Sequence, residues 1–184
     1  MKKVICSLFF VVAGISVSFG QKYMTRTGKI IFDATTKSSP EKISGVNNEV
    51  ATIFDAKSGR VIFQVLVKSF KFERELMEEH FNENYMESDK FPKSDFDGSI
   101  TNLSEINLAK DGVYNAKVKG KLTIHGESHE VEETGTITVK GNTVSFKARF
   151  SVKLGDYKVS IPSLVADKVS KDATITLESE LTQK

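Results

Sequence analysis

Apolar and polar side chains alternate along most of this chain with a period of two residues. The clearest stretch is 113–125, whose apolar face consists of Tyr114, Ala116, Val118, Gly120, Leu122 and Ile124. Stretches 143–154 and 172–181 repeat the pattern. Because successive side chains of a β-strand point to opposite faces of a sheet, each stretch predicts a strand with one face in a core and the other in water.

Turn-forming residues separate the alternating stretches. Lys110-Asp111-Gly112 and Lys140-Gly141-Asn142 tolerate the positive φ angles that tight hairpins need, and residues 56–59 predict a third hairpin. Neighbouring strands are therefore expected to be antiparallel. The stretch 61–67 is apolar on both faces, so its strand is expected to be covered on both sides. The remaining predicted strands are 28–34, 50–55, 60–72, 95–103 and 128–140.

One segment, 73–86, departs from the period of two. Its apolar residues recur at spacings of three and four, which predicts a short amphipathic helix, and a second helical turn is expected at 163–169. Many short strands with one apolar face favour a sandwich or a closed barrel. An eight-stranded barrel removes unpaired edges and is either filled by side chains or holds one small ligand. The predicted fold class is all-β, an antiparallel β-barrel of about eight strands with one or two short helices.

A transmembrane β-barrel shows the same alternation with its apolar face outward. This chain has no Trp, no evident girdle of aromatic residues and a helix between its predicted strands. These features favour a barrel whose apolar face points inward. No stable membrane insertion is expected.

The first twenty residues have the pattern of a secretory signal peptide. A basic start, Met1-Lys2-Lys3, precedes the apolar run 4–17, and Ser18-Phe19-Gly20 offers small residues before a cleavage site. The apolar run is shorter than the roughly 20 residues of a membrane-spanning helix. We expect residues 1–20 to be removed and the mature chain, 21–184, to be periplasmic or secreted.

Cleavage changes the charge and the cysteine count. The full chain has 26 Lys and Arg against 24 Asp and Glu, and removal of Lys2 and Lys3 leaves equal numbers. A net charge of zero argues against nucleic acid as a partner. The single cysteine, Cys6, is lost as well. The mature chain is therefore expected to form neither a disulfide nor a cysteine-based zinc site.

The sequence lacks the combinations of residues that catalysis requires. It has no Gly-x-Ser-x-Gly elbow, no phosphate-binding glycine loop and only three histidines. His125 and His129 are four residues apart, but Gly126 between them predicts a turn, and the spacing indicates no third metal ligand. We expect both to be solvated rim residues. The chain is interpreted as a non-enzyme without a metal or cofactor.

Three segments resemble the YceI-like family of exported lipid-binding or polyisoprenoid-binding proteins. They are residues 79–92, 120–126 (Gly-Lys-Leu-Thr-Ile-His-Gly) and 156–159 (Asp-Tyr-Lys-Val). The resemblance covers about residues 22–182, although the Trp of the family's first strand is missing. It implies one domain over 21–184, a lipocalin-like antiparallel β-barrel whose apolar cavity holds an isoprenoid chain.

Large apolar residues on the inward faces are the candidates for the cavity wall. Plain core packing is the alternative for each, because alternation does not distinguish a hollow barrel from a filled one. His80, on the apolar side of the predicted helix beside Phe81 and Leu76, is either a hydrogen-bonded packing histidine or the candidate for a head-group contact. The candidate wall residues are Phe63, Val65, Val67, Tyr114, Val118, Leu122, Phe146, Phe150, Leu154, Ile175 and Leu177.

Two functions are consistent with these observations. The first is an exported soluble protein that transports, stores or sequesters a polyisoprenoid or similar long-chain lipid in the barrel. The second is a non-catalytic stress-related or structural module with a packed core and a protein partner. A hollow barrel favours the first and a filled barrel the second. The ligand's length and head group are left open, and so is the formation of a homodimer.

Overall fold

A computed structural model describes residues 21–184, so the predicted signal peptide lies outside the described residues. The described chain consists mainly of β-strands that follow the predicted order. Numbered in chain order, the strands β1 to β9 are Lys22–Thr35, Ser44–Asp55, Arg60–Leu66, Lys71–Phe72, Lys93–Ile100, Gly112–Ile124, Glu127–Lys140, Thr143–Lys153 and Val169–Gln183.

Eight of these strands close into an antiparallel barrel. The sheet runs β1-β9-β8-β7-β6-β5-β3-β2, and β1 also pairs with β2, which joins the two edges. The short β4 pairs with the end of β2 outside this ring. The predicted all-β, lipocalin-like barrel is thus confirmed.

Helical structure is confined to short segments. The helix α1, Glu75–His80, continues into a single π-helical turn, Phe81–Tyr85. The turn expected after Pro162 is a 3₁₀ turn at Ser163–Val165, and another follows β8 at Leu154–Tyr157. No helix within residues 21–184 is long and apolar enough to span a membrane.

The first strand is longer than predicted and bends at Gly28. Its register with β2 shifts on both sides of that residue. Thr52 of β2 and Ser179 of β9 form a buried hydrogen bond of 2.7 Å between their hydroxyl groups. A Cβ atom at Gly28 would lie only 2.7 Å from the Ser179 Oγ atom. The missing side chain therefore lets these two polar groups pair inside the barrel.

The expectation that residues 61–67 are covered on both sides is wrong. β3 ends at Leu66, whose side chain is 48% exposed, and Ile62 is half-buried. Val61 and Val65, on the other face, are buried. The buried core residues of β3 are therefore on its inner face.

Two apolar clusters fill the barrel from opposite ends. One end is closely packed around Phe54, Val61, Ile137 and Leu181, each fully buried. The other end, beneath α1, includes Val67, Phe81 and other buried residues, with several half-buried aromatic and aliphatic side chains against them. This second end contains the cavity described below.

Substitution of Gly120 tests how tightly β5 and β6 are packed. Gly120 pairs with Gly98, and a Cβ atom at position 120 would lie 2.5 Å from the Asp97 carbonyl oxygen. Gly120→Ala is therefore expected to lower the free energy of unfolding by about 1–3 kcal/mol, the usual cost of overpacking. Chemical denaturation measures this change. Gly155→Ala is the control, since no atom lies within 4 Å of its added Cβ; equal effects of the two variants would contradict the packing argument.

Candidate ligand-binding cavity

An apolar cavity of about 150 Å³ lies inside the barrel, in the half nearer α1. Its accessible wall is formed by apolar atoms. It is comparable in size to an engineered apolar cavity that binds benzene. The predicted wall residues that line it are Phe63, Val65, Val118, Leu122, Phe150, Leu154, Ile175 and Leu177.

Three predicted wall residues lie elsewhere in the core. Val67 is fully buried in the cluster beneath α1. Phe146 and Tyr114 belong to the packed cluster at the opposite end, where the Phe146 ring makes edge contacts with Phe54 and Phe63. Phe146 and Tyr114 point inward as alternation predicts, but their depth along the barrel axis separates them from the cavity. That depth depends on the stagger between strands, which alternation does not specify. Val67 lies at the same end as the cavity, but it belongs to the 3₁₀ turn Val67–Ser69 after β3 and is packed within the core.

Several cavity residues were not predicted. Ile30 and Phe32 come from the extended β1, and Phe70, Phe81 and Met86 come from the segment around α1. Their apolar character is visible in the sequence, but their contribution to the wall follows from how this segment folds over the barrel mouth. Val131 and Glu133 of β7 also line the cavity. Glu133 does not stand out in the sequence as a wall residue, because a charged residue is unusual on an inner face.

A groove of about 290 Å³ lies beside the cavity and opens to the outside. It lies between α1, the segment Ser39–Ile43 and the segment Val165–Val169. Its lining shares four residues with the cavity, namely Phe32, Phe81, Met86 and Leu154. The groove and the cavity are therefore two compartments on either side of this set of side chains.

Phe81 is central to the division between the two compartments. It is 6% exposed, and its ring centroid lies 4.9 Å from that of Phe72, 5.3 Å from that of Phe70 and 5.6 Å from that of Phe32. The residue begins the π-helical turn after α1. With Phe32, Met86 and Leu154, this ring is one of the four side chains that line both the groove and the cavity.

His80 lies at the groove and is exposed, not packed among apolar side chains as a helix-face residue would be. Leu76, one turn earlier, is 61% exposed. Two cationic residues, Arg74 and Lys168, also line the groove, and Arg74 forms an ion pair with Glu41 at 3.0 Å. Glu41 lines the groove too, so the two cations face one carboxylate there. The groove thus combines an apolar floor with a rim that is basic on balance. A head-group contact by His80 stays a prediction.

His125 is the buried centre of a cluster beside the barrel mouth. Its Nε2 atom lies 2.9 Å from a carboxylate oxygen of Glu87, and its Nδ1 atom lies 3.2 Å from the carbonyl oxygen of Tyr157. The Phe91 ring packs against the imidazole with centroids 4.5 Å apart. The expectation of a solvated rim residue is wrong for His125, although His129 is exposed.

The arrangement is suited to holding an apolar molecule. Acid-base chemistry needs a titratable group directed at a reacting atom, whereas the accessible cavity surface is apolar. Within residues 21–184, no cluster of three or more His, Cys, Asp or Glu side chains is placed to hold a metal ion. The geometry therefore favours binding through apolar contacts.

A family model for the YceI-like domain matches residues 17–181. The chain belongs to the YceI-like family. Comparison with curated proteins by sequence finds no match. The three segments that resemble this family meet at His125, because Glu87, His125 and Tyr157 come from one segment each.

Solved structures share the YceI-like fold at low sequence identity. A polyisoprenoid-binding domain from Saccharophagus degradans, implicated in plant cell wall breakdown, is 10% identical with a TM-score of 0.77, and the match covers 90% of this chain and all of that one. BcnA of Burkholderia cenocepacia is 18% identical with a TM-score of 0.66, over 83% and 95% of the two chains. A YceI protein of Campylobacter jejuni is 15% identical with a TM-score of 0.56, over 100% and 99%.

Replacing His125 tests whether its cluster stabilises the YceI-like fold. His125→Ala removes two hydrogen bonds and the contact with Phe91, so we expect a loss of about 2–3 kcal/mol in the free energy of unfolding. Chemical denaturation at neutral pH measures it. His129→Ala is the comparison, since that side chain is exposed and makes one hydrogen bond, to the Asp156 carbonyl oxygen. The assignment fails if the two variants are equally stable.

Truncation of Phe81 tests the division between cavity and groove. Phe81→Ala is expected to join them into one continuous space and to cost about 3–5 kcal/mol of stability, as for other buried phenylalanines. A crystal structure of the variant shows the joined space, and thermal denaturation gives the cost. Leu76→Ala, on the exposed part of α1, should change stability by less than about 0.5 kcal/mol. Two compartments that remain separate in Phe81→Ala would refute the role of this ring.

Proposed function

We propose that this protein is an exported, non-catalytic carrier or sequestering protein that holds a polyisoprenoid or similar long-chain lipid in its barrel. The observation that carries the proposal is the apolar cavity inside the barrel. The solved polyisoprenoid-binding domain of the same fold supports it. Export to the periplasm or beyond rests on the signal-peptide pattern of residues 1–20.

The energetics of such binding come mainly from the apolar chain. Burial of a CH₂ group contributes about 0.8 kcal/mol, so one five-carbon unit contributes up to roughly 4 kcal/mol. Association costs about 4–15 kcal/mol, so several units are needed for stable binding. A head group at the basic rim of the groove, near His80, would add specificity more than affinity.

The volume of the cavity sets a condition on how a long chain binds. A cavity of about 150 Å³ takes a molecule the size of benzene, which is close to one five-carbon unit. A longer chain must extend past Phe81 into the groove, which is lined by further apolar residues. We therefore expect the Phe81 side chain to move when a chain of several units binds.

The alternative, a module with a filled core and a protein partner, is less well supported. Its motivation is that the sequence has no distinct head-group motif, and a barrel of this size can be filled by side chains. One end of this barrel is filled in that way, around Phe54 and Ile137. The other end leaves an apolar space, which is the feature that favours a small apolar ligand.

Blocking the cavity tests the proposed function. Ala148 lines the cavity from β8 and is half-buried, so Ala148→Phe places a ring inside it. Native mass spectrometry of the mature chain, with organic extraction and with added polyprenyl lipid, is expected to show a bound lipid in the wild type. Ala148→Phe should reduce the bound fraction at least about tenfold. The burial free energy of the five-carbon unit that the ring displaces exceeds about 1.4 kcal/mol, which corresponds to a factor of ten in affinity.

Ser151→Phe is the matched control for this experiment. Ser151 lies on the same strand but is exposed on the outer face, so the added ring leaves the cavity unchanged. This variant should bind lipid as the wild type does. A wild-type barrel that is empty on purification and ignores added polyprenyl lipid would rule out the proposed function.

A further inference from the structure

The barrel wall is incomplete between β7 and β8. These strands pair only from Gly135–Ala148 to Lys140–Thr143. Nearer the mouth, residues 127–134 pair with β6 alone and residues 149–153 with β9 alone. Five strand residues span roughly 16 Å, so the unpaired seam is long compared with the width of a hydrocarbon chain.

The far end of this seam is held by contacts between side chains and the turn after β8. The Lys158 ammonium group donates to a carboxylate oxygen of Glu127 at 2.6 Å. His129 Nε2 lies 2.8 Å from the Asp156 carbonyl oxygen, and its ring packs against Tyr157. The seam is therefore bounded at both ends, by the strand ladder on one side and by these contacts on the other.

Glu133 lies on the inner face at this seam. It pairs with Val118 of β6, and directly paired residues share one face of a sheet. Val118 and Glu133 both line the cavity. If the β7–β8 register continued beyond Gly135–Ala148, Glu133 would lie opposite Phe150 of β8, but the strands are unpaired there. The accessible cavity surface is apolar, so the carboxylate oxygens of Glu133 do not contribute to it.

The carboxylate is poorly solvated and has no compensating partner. Burial alone, without a hydrogen bond or a positive charge from residues 21–184, raises the pKa of Glu133 above its ordinary value. Its charge also helps to raise the pKa of the Tyr157 phenol, after burial and Asp156. The preceding residue, Glu132, points outward and forms an ion pair with Lys119. Asp95 of β5 also belongs to the lining, but alternation directs its side chain outward, because the next residue, Phe96, pairs with the inward Phe63 and Leu122. A carboxylate on the inner face beside an apolar cavity attracts a hydrogen-bond donor and repels an anion.

We propose that Glu133 selects the polar end of the bound lipid, accepting a hydrogen bond from a hydroxyl group and disfavouring phosphate or carboxylate. The preferred ligand class is then a free long-chain alcohol, such as a prenyl alcohol. Its hydroxyl lies at the margin of the cavity, where the seam gives access to water, and its chain runs past Phe81 towards the groove. This inference rests on the proposed function.

An anionic lipid would bind in the opposite direction, with its head group at the basic rim formed by Arg74, Lys168 and His80. That orientation would leave the Glu133 carboxylate facing the end of an apolar tail, without a donor. The two ends of the binding site therefore favour different head groups, a hydroxyl at Glu133 and an anion at the rim of the groove. A comparison of one alcohol with its phosphate ester distinguishes the two orientations.

The test is the ratio of the dissociation constants for farnesol and farnesyl monophosphate, measured by calorimetric titration at pH 8. We expect the wild type to bind farnesol at least about tenfold more tightly, because the alcohol gains a hydrogen bond to the half-buried carboxylate, whereas the phosphate is either repelled by that carboxylate or leaves it without a donor. Glu133→Gln should reduce this ratio to about threefold or less, mainly by tightening the binding of the phosphate. The variant should remain folded, since it removes a poorly solvated charge.

Glu132→Gln is the matched control, because it removes a carboxylate from the outer face of the same strand. It should leave the ratio unchanged. A wild type that prefers the phosphate, or a ratio that Glu133→Gln leaves unchanged while His80→Ala shifts it, would overturn the role of Glu133 but not lipid binding. Failure of the wild type to bind either probe would overturn the proposed function itself.

Discussion

The pairing of β1 with both β2 and β9 is the constraint on which the rest of the structure depends. These two ladders close the sheet into a barrel. The alternation of side chains along each strand then decides which residues face the barrel interior. The bend at Gly28 makes this closure geometrically feasible, since the buried hydroxyl groups of Thr52 and Ser179 meet where a side chain would otherwise stand. Closure also means that a break in one ladder becomes an opening in the wall. The seam between β7 and β8 is such a break.

The three segments that carry the family resemblance turn out to be structural neighbours. Each contributes one residue to the His125 cluster, and each contains a residue with positive φ: Glu87 at 42°, His125 at 51° and Lys158 at 56°. Their contacts connect the segment after α1 with the β6–β7 turn and with the turn after β8. The resemblance is therefore explained by how the barrel mouth is built and carries no information on the head group of a ligand.

The inward faces of β6, β8 and β9 were predictable because their side chains alternate cleanly, and the barrel followed from the number of such strands. The cavity was only partly predictable. Phe146 and Phe150 have the same pattern in the sequence, yet one packs against Phe54 and the other lines the cavity, because the stagger between strands sets their depth. Glu133 was not predictable, since the acidic residues of β7 obscure which face is inward. The burial of His125 depends on Phe91 and Glu87, which are distant in sequence.

The cavity also has an energetic cost that bears on its purpose. An unfilled apolar space of about 150 Å³ costs about 4 kcal/mol at the roughly 24 cal/mol per Å³ measured for engineered cavities. That is a large fraction of the 5–15 kcal/mol typical of a folded domain. The packed end of the barrel, around Phe54 and Ile137, offsets this cost and keeps the ring closed without ligand. A ligand that fills the space restores the lost contacts and stabilises the folded state by mass action. Division of the core into a packed end and a hollow end is therefore the arrangement expected of a barrel that folds first and binds an apolar molecule afterwards.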